Sequence, residues 1–302
     1  MELTNVTIAI PLHQSLVYAD IVFSNIDRLI PHCKIIVSDC TEDDRLLQSI
    51  ESRFGENKNL RVIGKRTLEK GWLPHWNDLM REVDTDYFMW LSHDDEIDLI
   101  WVTENLQNLH NNPNLAGSFG LLDQILEDGS LLEFGARFPT IKNDRQFPAN
   151  EILENWNLGI ATRAVWEKSK VLPFLATQDP LDEWGDVVWI YGILLEYEIG
   201  QIDTVSYRKR WYAGSAHSCW RPFDLVLAIK LLNREITRRN LSPKISEELF
   251  EVALSKTLRE RESLARERES LARERDSIIN SNSWRFTKPL RMVKNFTKRQ
   301  MG

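Results

Sequence analysis

Apolar positions in this chain come in two rhythms. Short, nearly unbroken apolar runs alternate with longer stretches whose apolar residues recur every three or four positions. Val6–Leu12 is the first such run, as expected of a strand covered on both faces. Residues 16–30 have helical spacing, and Lys34–Asp39 is a second buried-strand pattern ending in Ser38-Asp39. Residues 43–54 read as a helix and residues 60–64 as a short strand. Residues 72–83 read as a helix that tolerates Pro74 in its first turn. Then come an apolar strand from Tyr87, a helix over residues 97–110 stopped by Asn112-Pro113, and a hairpin. The hairpin joins residues 116–126 to 131–134 through Asp128-Gly129. Further on, the pattern predicts a helix over 181–197, a strand over 200–207 and a helix over 223–240. The βαβα opening predicts a parallel sheet with right-handed crossovers, and the hairpin predicts a mixed region added to it.

After Ser242-Pro243 the composition shifts to Leu, Ala, Arg, Glu and Ser. Arg-Glu-Arg-Glu-Ser-Leu-Ala occupies residues 259–265 and again 266–272, so the period is seven. Leu264, Leu271 and Ile278 form one stripe, with Arg261, Arg268 and Arg275 at the neighbouring seam positions. One good apolar position per heptad fits either a solvated single helix or a short coiled coil joining two copies of the chain. Charge is split along the chain. Residues 1–255 sum to −14, residues 256–276 to +1 and residues 277–302 to +6. An acidic body makes nucleic acid a poor partner, because that role needs a basic face. The three cysteines, Cys33, Cys40 and Cys219, have no metal-ligand spacing and point to a reducing compartment. No leader-like segment is evident, and the longest apolar run is too short to span a bilayer. The expectation is a cytoplasmic protein, with peripheral contact at the inner face of the cell membrane through its tail.

Chemistry concentrates where the Tyr87 strand must end, at Ser92-His93-Asp94-Asp95-Glu96. Acids at the carboxyl end of a strand in an open α/β sheet lie in the crevice where ligands bind. Carboxylates there suit Mg²⁺ or Mn²⁺ on substrate phosphates. They equally suit capping of the next helix. Trp72, Trp76, Trp184, Trp211 and Trp220 sit near polar clusters and are candidates for stacking on a sugar ring, although most tryptophans fill cores.

Taken in order, these pieces resemble the family 2 glycosyltransferases, of bacterial surface-polysaccharide type. The resemblance rests on residues 6–11, on residues 35–39 followed by Thr41-Glu42-Asp43, and on Lys70-Gly71-Trp72 with Asn77. It also rests on residues 87–95, on Glu183-Trp184-Gly185-Asp186, and on Tyr207-Arg208-Lys209-Arg210. It covers roughly residues 4–220. It implies an α/β GT-A (Rossmann-like) fold, a mixed sheet flanked by helices, here followed by a long C-terminal helix. It implies that Asp39 holds the base of a nucleotide-sugar donor, with Asn77, Trp184, Arg208 and Arg210 also on substrate. The family's D-x-D metal motif is Ser92-His93-Asp94 here, so its first acid is missing. Asp94, with Asp95, would hold Mn²⁺ or Mg²⁺ as a Lewis acid on the diphosphate. Asp186 matches the catalytic base that takes the acceptor hydroxyl's proton, with Asp182 or Glu183 as substitutes and helix capping as the competing account. Arg208, Lys209, Arg210 and His217 are basic groups for the departing diphosphate or, equally, a solvated loop.

Residues 281–291 look like the ends of many bacterial surface-polysaccharide glycosyltransferases. Trp284, Phe286, Leu290, Val293 and Phe296 among six cations suit an anionic membrane surface or a partner enzyme. The reading is therefore a catalytic domain over 1–243, a heptad helix over 244–281 and a basic aromatic tail over 282–302. The function expected is inverting transfer of a sugar from a nucleotide-diphosphate donor to a hydroxyl of a glycan or lipid-linked glycan acceptor. A nucleotidyltransferase is disfavoured, because Pro11-Leu12-His13-Gln14-Ser15 lacks the glycine-rich loop. A non-catalytic assembly protein with a degenerate nucleotide-sugar site is the other alternative.

Overall fold

The computed structural model describes residues 3–41, 43–64, 72–136, 161–174, 185–212, 225–238, 240 and 243–280. The chain divides into two compact units, residues 1–250 and 251–302. In the first, strands β1 (Val6–Leu12), β2 (Lys34–Asp39), β3 (Leu60–Ile63) and β4 (Tyr87–Trp90) are joined by helices α1 (Ala19–Leu29), α2 (Arg45–Phe54) and α3 (Trp72–Glu82). β5 (Glu96–Ile97), α4 (Leu99–Asn111) and the hairpin strands β6 (Leu115–Leu126) and β7 (Leu131–Ala136) follow. Then come β8 (Val165–Glu167), α5 (Gly185–Leu194), β9 (Glu198–Trp211), α6 (Leu225–Arg238) and α7 (Pro243–Asn280).

The sheet runs β3-β2-β1-β4-β8-β6-β9-β5, with β7 on β6. Its first four strands are parallel. β8 then pairs antiparallel with both β4 and β6, and β6 runs parallel to β9. The fold is thus the expected mixed α/β sheet flanked by helices, with a long C-terminal helix. Every residue of β1 is buried, which is why that run shows no alternation. The core is rich in large rings. Trp90 packs on Trp76 at 4.9 Å between centroids and edge-on to Trp189 at 5.0 Å, and Trp189 meets Trp166 at 4.6 Å. Burying such side chains contributes about 1.5–3 kcal/mol each. A Cβ on Gly117 would collide with the Trp166 ring, so only a glycine lets β6 pass beneath it.

Three elements differ from the sequence reading. The helix after β4 begins at Leu99, because Glu96–Ile97 first pairs antiparallel with Arg208 and Tyr207 of β9. β8 is only three residues long, too short for a periodic signal. β9 extends to Trp211, so Arg208-Lys209-Arg210 is the end of a strand and not a loop after it.

In the second unit, α7 exposes Leu264, Leu271, Ile278 and Ile279 along the heptad stripe. Among the described residues no helix is long and apolar enough to cross a membrane.

Candidate nucleotide-sugar site

Strand order places the candidate acids. β1 lies between β2, which follows it in the chain, and β4, which comes later. The connections therefore leave β1 in opposite directions, and a crevice opens at the carboxyl ends. Leu12 at the end of β1 pairs with Asp39 at the end of β2, and Ala9 of β1 pairs with Trp90, the last residue of β4. Asp39 and the segment Ser92–Asp95 thus flank the end of the same strand. Gln14, just beyond β1, has φ of 50°, an unusual left-handed conformation for a residue with a side chain.

Asp39 is buried, and its Oδ1 accepts hydrogen bonds from the Thr41 backbone N–H at 2.8 Å and from the Thr41 hydroxyl. This Asx turn fixes the carboxylate as the chain leaves β2. Beside it, His75 of α3 bonds through Nε2 to Ser38 Oγ at 2.9 Å. Asn77, two residues on along α3, is also buried.

The two acids after β4 have opposite fates. Asp95 is 1 % exposed and saturated. Its Oδ2 accepts from Arg163 Nε at 3.0 Å and from the Tyr207 hydroxyl at 2.8 Å, and its Oδ1 accepts from the Arg210 backbone N–H at 2.9 Å. Asn25 of α1 donates to its carbonyl at 2.8 Å. Asp95 therefore ties β4 to β9 and α1, whereas the sequence reading paired it with Asp94 as a metal ligand. Asp94 is half-buried, and among the described residues no other residue's hydrogen bond or ion pair reaches its carboxylate. Burial first, and repulsion from Asp95 second, push its pKa up to about 7, against the pull of Arg163 and Lys209.

β9 sorts the basic cluster by face. Arg210 is buried and braces the loop. Its Nε donates to the Asp94 carbonyl at 3.1 Å, its NH1 to the carbonyls of Leu126 at 3.1 Å and Glu127 at 2.9 Å, and its NH2 to Glu96 at 2.6 Å. Arg208 is exposed and 3.5 Å from Glu96. Both arginines, expected on substrate, thus meet Glu96, and four of the five N–H donors of the Arg210 guanidinium are engaged by the protein. Lys209, between them, turns to the opposite face and packs its ammonium 3.4 Å from the Trp211 ring centroid. Burial and Arg163 pull its pKa down to about 7, opposed by the charges of Asp95, Asp94 and Asp186.

Asp186 lies in the first turn of α5 and is buried. Gly185 beside it packs so closely on Leu73 of α3 that a Cβ would collide. Asp95, Asp94 and Asp186 act electrostatically on Lys209, and Asp95 and Asp39 on His93. Sequence reasoning missed Arg163, Lys209 as distinct from its neighbours, and a tyrosine wall. Tyr18 stacks at 5.4 Å on Tyr212 and at 5.6 Å on His93, and the charge of Asp94 reaches both tyrosines. Strand alternation carried through residue 211 would have separated Lys209 from Arg208 and Arg210. Trp184, Trp220, His217, Asp182 and Glu183 lie outside the described residues. Trp76 and Trp211 pack against Trp90 and Lys209.

Among the described residues no group of three or more His, Cys, Asp or Glu side chains converges as a metal site. The Asp94 carboxylate, held above its ordinary pKa by burial and by Asp95 and unpaired among the described residues, nevertheless fits a divalent ion. Mg²⁺ in particular uses one or two carboxylates and takes its other ligands from water and substrate phosphates.

No family model matches the chain, and no curated protein does. Solved structures do. S. aureus TarS 1–349 superposes with a TM-score of 0.58 at 14 % identity, covering 83 % of this chain and 72 % of that one. Its complex with UDP-GlcNAc matches with a TM-score of 0.56 at 14 % identity, over 83 % of this chain and 72 % of that one. Its UDP complex gives 0.58 at 14 % identity, over 82 % and 70 %. TarS is a glycosyltransferase. The likeness shows that this chain shares the fold of these structures.

Proposed function

We propose that the protein is an inverting glycosyltransferase that moves a sugar from a nucleotide-diphosphate donor to a hydroxyl of a cell-surface glycan precursor. The observation that carries this reading is that Asp39 and the Ser92–Asp95 segment flank the carboxyl end of β1 in a fold shared with structures that hold UDP and UDP-GlcNAc, and the reading assigns Asp186, in the first turn of α5, to the same site. In this reading Asp39 receives the base, Asn77 also binds the donor, and Trp184 flanks the sugar. The Asp94 carboxylate is the protein's ligand for Mn²⁺ or Mg²⁺, which supplies Lewis acidity on the diphosphate when bound. Asp95 keeps Asp94 in place through Arg163, Tyr207 and Arg210. Asp186 takes the acceptor's proton as the new bond forms at the anomeric carbon, because an alcohol is too weak an acid to attack unaided. The heptad stripe would pair two copies of the chain, and the tail would meet a membrane surface or a partner enzyme.

Thermal denaturation of the full chain with UDP-, GDP- and dTDP-sugars, with and without Mn²⁺, tests the reading. A ligand that binds only the native state raises the melting temperature. A shift with one donor class supports the reading, and no shift with any donor contradicts it. Binding without turnover across all donors would instead favour the assembly protein, which the missing first acid at Ser92 makes a specific alternative.

A further inference from the structure

Lys209 is an unusual buried cation. It is 5 % exposed, yet among the described residues its ammonium makes no hydrogen bond and no ion pair, only the 3.4 Å contact with the Trp211 face. An ammonium taken from water without acceptors costs several kcal/mol, and a ring face replaces only part of its hydration. The carboxylates around it do not close that gap. Asp95 is held by Arg163, Tyr207 and Arg210, while Asp94 and Asp186 act on Lys209 only through space. Its three N–H donors are therefore left without an acceptor among the described residues, within electrostatic reach of Asp94, the residue assigned to the donor's metal. Arg208 and Arg210 do not compete for that role, because Arg208 is exposed towards Glu96 and the Arg210 guanidinium is held by Glu96 and the carbonyls of Asp94, Leu126 and Glu127.

We propose that the Lys209 ammonium is the protein's own cation for the donor diphosphate, donating its N–H groups to phosphoryl oxygens that complete its hydrogen bonds. The proposal rests on the nucleotide-sugar reading above and names the group on the protein that meets the leaving diphosphate. As the anomeric C–O bond breaks, its electron pair passes to the phosphoryl oxygen, and a fixed positive charge lowers the energy of that developing anion. A compact ammonium on a four-carbon stem can follow the oxygens as the bond lengthens, which the braced Arg210 cannot.

The test is calorimetric titration of the full chain with UDP, or with GDP or dTDP where wild type binds that nucleotide instead, and with inorganic pyrophosphate, in EDTA and in Mn²⁺. It compares wild type, Lys209→Met, Lys209→Gln and Lys209→Arg, with melting temperatures recorded for each. Charge-assisted hydrogen bonds of about 1.5–3 kcal/mol convert to a loss of about 10- to 150-fold in affinity. The neutral variants should show that loss for both probes, in EDTA as well as Mn²⁺, with melting temperatures at or above wild type because an unpaired buried charge is gone. Lys209→Arg should recover part of the affinity. Nucleotide and pyrophosphate affinities within twofold of wild type in Lys209→Met and Lys209→Gln would overturn the inference while leaving the glycosyltransferase reading intact. If wild type binds neither UDP nor GDP nor dTDP, the nucleotide-sugar reading itself fails and the inference with it.

Discussion

Replacing Asp95 by Asn should cost more stability than any other single change in the site. The side chain is 1 % exposed and the Arg163 side chain it pairs with is 14 % exposed, so the ion pair has almost no solvent to fall back on. Asn keeps one acceptor oxygen for three donors: Arg163 Nε, the Tyr207 hydroxyl and the Arg210 backbone N–H. Its amide then faces a donor, and Arg163 is left charged without a counterion. Breaking one side of a buried pair costs about 3–5 kcal/mol. At about 2–4 °C per kcal/mol for a domain of this size, the melting temperature should fall by about 6–20 °C. Urea denaturation of Asp95→Asn, Arg163→Met and the double variant measures this directly. The double variant should lose clearly less than the sum of the singles, because removing both charges removes the orphan. A single-variant loss below about 1 kcal/mol, or strictly additive effects, would refute the view that Asp95 is the tie between β4 and β9.

Three further expectations follow. Asp94→Asn should stabilise the metal-free protein at pH 8 by about 1–2 kcal/mol, after discounting for its partial exposure, because the folded chain then no longer holds an ionised carboxylate short of water. That gain should shrink as pH falls from about 7 towards the unfolded value of about 3.9, and Mn²⁺ should raise the melting temperature of wild type but not of the variant. The buried thiols of Cys33 and Cys40, raised to about 12 and about 11 mainly by burial, should resist a thiol reagent at pH 8 until the chain unfolds; their contribution to stability, full below about pH 8.5, should decline as pH climbs towards those values. Gly117→Ala should destabilise by about 1–3 kcal/mol in chemical denaturation, since the fully buried Trp166 ring has nowhere to move.

Much of the fold is legible because its strands are buried on both faces and stop at polar residues. Val6–Leu12 and Lys34–Asp39 coincide with their apolar runs, and the carboxyl-end acids follow from strand direction alone. The short pairings were not legible, since β5 and β8 have two and three residues and owe their existence to partners far along the chain. Within the site, residue type identified the acids but not their division of labour. Asp94 and Asp95 are neighbours of the same kind, and only the burial of Arg163 and Tyr207 against one of them separates a tie from a free carboxylate. The basic triplet shows the same limit. A strand taken to end at Tyr207 makes its three cations equivalent, whereas a strand running to Trp211 sends one of them the other way.

The central claim is that acids from three distant segments form one sugar-transferring site. Nucleoside diphosphate release from a panel of UDP-, GDP- and dTDP-sugars, with Mn²⁺ and a glycan acceptor, tests it most directly in wild type, Asp94→Asn and Asp186→Asn. The account predicts acceptor-dependent release by wild type with one donor class, and a fall of at least about 100-fold in Asp186→Asn, the low end for loss of a general base. Full activity in both variants would contradict it.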